Sequence, residues 1–117
     1  MLGALRDLLD IEQQVNPAGA LVWRYLERGY TPAGLLSTLG HVLLREDGEF
    51  HSYQCLEAGF ALYKELHETR PAAAERVLVA VARYLAAHAP TSRSMLQTAR
   101  SALRLYRGEE LYVATEE

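Results

Sequence analysis

The chain reads as an all-α protein, six amphipathic helices in three antiparallel hairpins, forming an irregular bundle or a short α-solenoid. Three observations predict this. Apolar residues recur at the 3.6-residue period along almost the whole chain. The punctuation is helical: Asn16-Pro17 and Thr31-Pro32 each read as an N-cap followed by proline at the first helical position, where its missing N–H costs nothing. No stretch alternates apolar and polar residues for long enough to predict a strand.

The spacing predicts helices over 2–14, 17–28, 32–46, 49–68, 71–88 and 92–107. The first carries Ala4, Leu5, Leu8, Ile11 and Val15 on one face, and the second Ala18, Leu21, Val22 and Tyr25. Gly29 stands where a glycine would end that second helix. The third helix presents Leu35, Leu36, Leu39, Val42 and Leu43. The fourth presents Cys55, Leu56, Gly59, Phe60, Tyr63 and Leu66. Thr69 and Pro71 open the fifth, whose stripe is Ala74, Val77, Leu78, Val81 and Leu85. Pro90 ends it, and Thr91 or Ser92 can cap the last helix, striped by Met95, Leu96, Ala99, Ala102, Leu103 and Tyr106. Leu39 and Leu103 are the expected core leucines of their helices. Residues 1–107 therefore form a single helical domain, and 108–117 an acidic tail. "YQCLEAGFALYK" (53–64) lines up with "LQTARSALRLYR" (96–107), a repetition that would favour stacked helix pairs.

The totals exclude several function classes. At 117 residues, half of them apolar, the chain is long enough for one domain with a core of its own. A net charge of −3 speaks against a dedicated nucleic-acid binder. The single cysteine rules out an internal disulfide and a Cys-rich metal centre, and it fits a reducing compartment. No apolar run reaches the roughly 20 residues that span a bilayer, and the N-terminus has no basic segment of the signal-peptide kind. The expected location is the cytoplasm.

Chemistry-bearing residues concentrate in "LREDGEFHSYQCLEAG" (44–59). Glu46, Asp47, Glu49 and His51 can converge where the chain turns, and histidine with carboxylates suits a divalent metal such as zinc, iron or manganese. The competing reading is a helix–helix corner. Glu46 and Asp47 finish one helix, Gly48 supplies the bend, and Glu49 sits at the positive N-terminus of the next. Neither HExxH nor the paired Glu-x-x-His of di-iron bundles is present.

The other polar candidates are more dispersed. His41 shares a face with Ser37, Thr38 and Arg45, and His67 lies near a helix end among acids, so both are expected on the surface. His88 falls on the apolar arc of the fifth helix, able to bond the last carbonyls or to line a pocket. Cys55 faces the core as a small hydrophobe, with His51 one turn away as the only base that could activate it. Arg93, Arg100, Arg104 and Arg107 lie along one side of the last helix, as a solvated face, a grip for a partner's carboxylates or, last in order, a grip for nucleic-acid phosphates. Trp23 lies off its helix's stripe, a second packing contact or a partner anchor.

The stretches "LREDGEFHSYQ", "ARYLAAHAPT" and "LYRGEELY", within residues 31–112, resemble a helical region of larger bacterial Rieske-type iron–sulfur proteins. This chain lacks the Cys-x-His pairs that hold a Rieske cluster, so no cluster and no redox activity carry over. The resemblance implies an accessory all-helical module, and raises the interest of Glu46, Asp47, His51 and Gln54 without assigning them roles. The expected function is thus a small accessory or interaction domain without catalytic activity, with a protein partner and a possible homodimer. The alternative is a metal- or small-ligand-binding helical protein, with an enzyme as one form of it, using Glu46, Glu49 and His51, with His88 as a further candidate.

Overall fold

The structure is a computed structural model that describes residues 1–108. It is all-α and 74% helical, with no strand among the described residues. The helices are α1 (Leu2–Leu8), α2 (Val15–Glu27), α3 (Pro32–Leu44), α4 (Phe50–Leu66), α5 (Pro71–Ala87) and α6 (Ser94–Tyr106). The acidic tail lies outside the described residues from position 109 onward.

α5 is the central helix. It packs lengthwise against α2 on one side and α4 on the other, while α1 touches α2 and α3, and α3 touches α4. The core they enclose includes Leu5, Leu9, Val22, Leu35, Leu39, Leu78 and Val81, each nearly or wholly removed from solvent. The α4–α5 crossing depends on Gly59, because a β-carbon there would overlap the Val81 side chain. Gly29 ends the α2 region with a left-handed backbone, φ +76°.

Several local expectations change. The first helix ends at Leu8, not at residue 14, because Asp10 N–H and Ile11 N–H turn back to the carbonyls of Asp7 and Leu8 at 3.1 Å. These are i→i−3 bonds that tighten a helix end, and Gln13 then redirects the chain at φ 64°. α2 consequently begins at Val15, with Gln14 in the capping position and Pro17 inside the first turn. Asn16 is not the cap; its side-chain oxygen accepts a 2.7 Å bond from Arg83 of α5. Thr31 does precede Pro32 at the start of α3, but its side chain makes no capping bond. Its carbonyl accepts instead from the Tyr25 hydroxyl at 2.6 Å.

The largest departure is α6. The expected α5–α6 hairpin does not form, and α6 has no helix packed along it in the way α2 and α4 pack on α5. No α6 residue is buried. Met95, Leu103 and Tyr106 are 55%, 46% and 89% exposed, so Leu103 is not a core leucine. The reason lies in α5, whose apolar sides are already covered by α2 and α4, and in residues 91–95, which are tied to the α3–α4 corner. The outline is elongated accordingly, 54 × 24 × 24 Å, with a radius of gyration of 16.6 Å against about 13 Å for a compact chain of about 100 residues.

Candidate functional site

The acidic corner and the start of α6 meet in one polar network. Glu46 follows α3 directly and is almost fully buried. One of its carboxylate oxygens accepts from the Thr91 amide and the Thr91 hydroxyl, both at 2.8 Å. The other accepts from Arg93 Nε at 3.1 Å and Nη2 at 2.9 Å, and from Arg45 Nε at 3.3 Å. The Thr91 hydroxyl in turn accepts from the Asp47 amide at 2.8 Å and the Arg93 amide at 3.2 Å.

Asp47 holds the end of α6. Its carboxylate accepts from the Ser94 and Met95 amides at 2.9 and 2.7 Å, and from the Ser92 hydroxyl at 2.8 Å. The two amides are first-turn N–H groups that the helix itself leaves unpaired. A side chain from a distant segment therefore does the work of an N-cap. Arg93, the residue before α6, adopts a left-handed backbone at φ 60°. Its guanidinium reaches past Glu46 to Asp10 at 2.6 Å, just beyond α1, and Arg45 joins the same Asp10 oxygen at 3.2 Å. Three stretches far apart in sequence, the end of α1, the α3–α4 corner and the entry to α6, are thereby locked together.

The charges are mutually set. The Arg93 hydrogen bond holds the Asp10 carboxyl below its usual range. Burial alone would raise Glu46, but its bonds from Arg93 and Thr91 outweigh this and keep it low. The Met95 and Ser94 amides lower Asp47, and Glu46 and Asp10 push Arg93 up. All four groups are therefore charged at neutral pH. Such a network fixes geometry; a general acid or base needs a pKa near the working pH.

Glu49 and His51 stand apart from it. Glu49 occupies the N-cap position of α4, where the sequence placed it, but makes no side-chain capping bond. His51 is exposed, its Nδ1 at 3.3 Å from the Gln54 side-chain oxygen. Glu46, Glu49 and His51 are not brought together, and among the described residues no group of three or more His, Cys, Asp or Glu side chains is placed to hold a metal ion. Gly48 has no left-handed backbone and sits against Tyr53 and Leu43.

The remaining candidates fall as follows. Burial pushes the Cys55 thiol up, the opposite of what a nucleophile requires. His41 and His67 are on the surface. His88 is also exposed, its ring 4.5 Å from that of Tyr84, at the rim of a small cavity that Glu46 and Ser52 also line. Trp23 is 41% exposed on α2. Arg93 belongs to the lock, Arg104 is half-buried, and Arg100 and Arg107 are exposed.

A second feature lies at the other end of α3 and α4. Pro32, Ala33 and Leu36 face Phe60, Ala61, Tyr63, Lys64 and His67 across an open, mainly apolar groove of about 620 Å³. No helix among the described residues is long and apolar enough to cross a membrane. Comparison with protein-family models, with curated proteins and with solved structures finds no match for this chain.

Proposed function

We propose that this protein is a non-catalytic interaction module whose working surface is the apolar stripe of α6. The observation that carries the reading is the contrast within α6 itself: the Ser94 and Met95 amides of its first turn are held by Asp47, and Arg93 just before it by Glu46, while Met95, Leu103 and Tyr106 stand exposed. A helix of 13 residues is marginal by itself in water and normally gains its stability from a covered apolar face. A stripe of this kind, exposed on a folded protein, marks an interaction surface. An accessory role also accords with the resemblance to a helical region of larger Rieske-type proteins.

A photoreactive residue at position 103 tests this in cells, with one at Arg24 on the surface of α2 as control. The module reading expects a discrete, identifiable protein adduct from position 103 and none from position 24. No adduct from position 103, or the same adducts from both, would overturn it.

A further inference from the structure

The groove between α3 and α4 is open and mainly apolar, and no helix among the described residues packs along the apolar stripe of α6. We propose that the groove takes α6 from a second copy of this chain, so that two copies exchange arms about a twofold axis. This rests on the reading of α6 as the interaction surface and names its partner.

Three features support the pairing. The first is charge. Along the outer edge of the groove, α4 and its end carry Glu57 and Glu65, each four residues from Ala61, and Glu68, four residues from Lys64; with the groove's own Lys64 counted, this edge is net acidic. The opposite edge, on α3, is uncharged around Pro32, Ala33 and Leu36. On α6, Arg100 and Arg107 flank the Leu96–Leu103 side of the stripe, while Thr98 and Leu105 make the other edge neutral. One acidic and one neutral rim thus face one basic and one neutral edge, which gives the contact a preferred orientation as well as attraction.

The second is reach. α6 starts at the corner formed by the C-terminal end of α3 and the N-terminal end of α4, whereas the groove lies at the other ends of those helices. To cover its own groove, α6 would have to fold back along α3 and α4, and the lock directs it elsewhere. A second copy can receive it with Asp47, Glu46 and Arg93 undisturbed. The third is symmetry. Exchange of identical elements forms the same contact twice and closes, so it yields a dimer and no filament.

Purified full-length chain, followed by sedimentation over a wide concentration range, provides the test. Leu103→Glu removes the arm's apolar contact, and Ala61→Glu fills the groove. Both positions are exposed, so helical content and melting should persist. Wild type should be a dimer that dissociates on dilution, and each variant alone should be at least tenfold weaker in self-association. Mixing the two variants should restore a dimer, because the intact arm of one still fits the intact groove of the other. Reversing both rims at once, Glu57→Arg with Glu65→Arg and Arg100→Glu with Arg107→Glu, should recover association that either half-set loses. A wild type that stays monomeric at all concentrations would overturn the exchange, and a monomer that binds anionic vesicles through the same stripe would do so as well. A dimer lost in both variants but not restored by mixing would also overturn it, pointing to stripe-on-stripe packing. A wild-type monomer whose position-103 adduct is a different protein would leave the module reading standing, so the two failures are separable.

Discussion

α5 and α6 are equally convincing amphipathic helices in sequence, yet they end in opposite situations. α5 buries Ala74, Leu78, Val81, Ala82, Leu85 and Ala86 between two neighbours, while α6 buries nothing. The difference shows that an apolar stripe predicts a need for cover, not its source. For α5 the cover comes from α2 and α4 of the same chain. For α6 the α3–α4 corner holds the first turn through Asp47, and no helix among the described residues packs along the stripe.

The sharpest way to break this contrast is to truncate matched leucines. Leu78→Ala, at a site with no exposure, should lower unfolding free energy by about 2–5 kcal/mol in denaturant titrations. Leu103→Ala should stay within about 0.5 kcal/mol in dilute protein, as surface substitutions do. Comparable losses at the two sites would mean that α6 is packed on the body after all.

A smaller effect is expected at the close helix crossing. Gly59→Ala should cost about 1–3 kcal/mol through overpacking against Val81, even though alanine is the better helix former by about 1 kcal/mol. A stabilised Gly59→Ala variant would show that α4 and α5 are not held this closely.

The lock itself should respond to acid. Asp10, Glu46 and Asp47 are all held below their ordinary values in the folded protein. The folded state therefore binds fewer protons than the unfolded chain near those values, and stability rises with pH there. Their contribution should be complete above the ordinary carboxyl values of 3.8 to 4.5 and fall away as pH drops below them. Glu46→Gln should flatten that acid limb in urea titrations from pH 6 to pH 2. An unchanged limb would remove Glu46 from the account.

How legible was this in the sequence? The stripes of α2, α3 and α5 were, because a period of 3.6 residues is a local signal and Leu39, Val22 and Leu78 lie on it. The start of α3 at Pro32 was equally local. The end of α1 was not, since the turn at Gln13 overrode an apolar pattern that continued to Ile11 and Val15. The corner was half legible. Its acids were prominent, but Thr91 and Ser92, the expected capping residues of the last helix, do not cap it: Arg93 stands in the capping position, while Thr91 bonds Glu46 and Ser92 bonds Asp47. That Asp47 caps α6 and Glu46 receives Thr91 and Arg93 was not legible, because the partners are more than 40 residues apart and no spacing rule connects them. Leu103 was misplaced for a related reason: wheel position shows which face is apolar and is silent on whether the chain brings anything to that face.

Native-state hydrogen exchange on dilute, monomeric protein separates an uncovered α6 from one packed on the body. Core helices should exchange only through global unfolding and an uncovered arm through local opening. The α2 and α5 amides should be the slowest, and α6 amides beyond Gln97 should exchange orders of magnitude sooner. α6 amides as slow as those of α5 would contradict an uncovered arm.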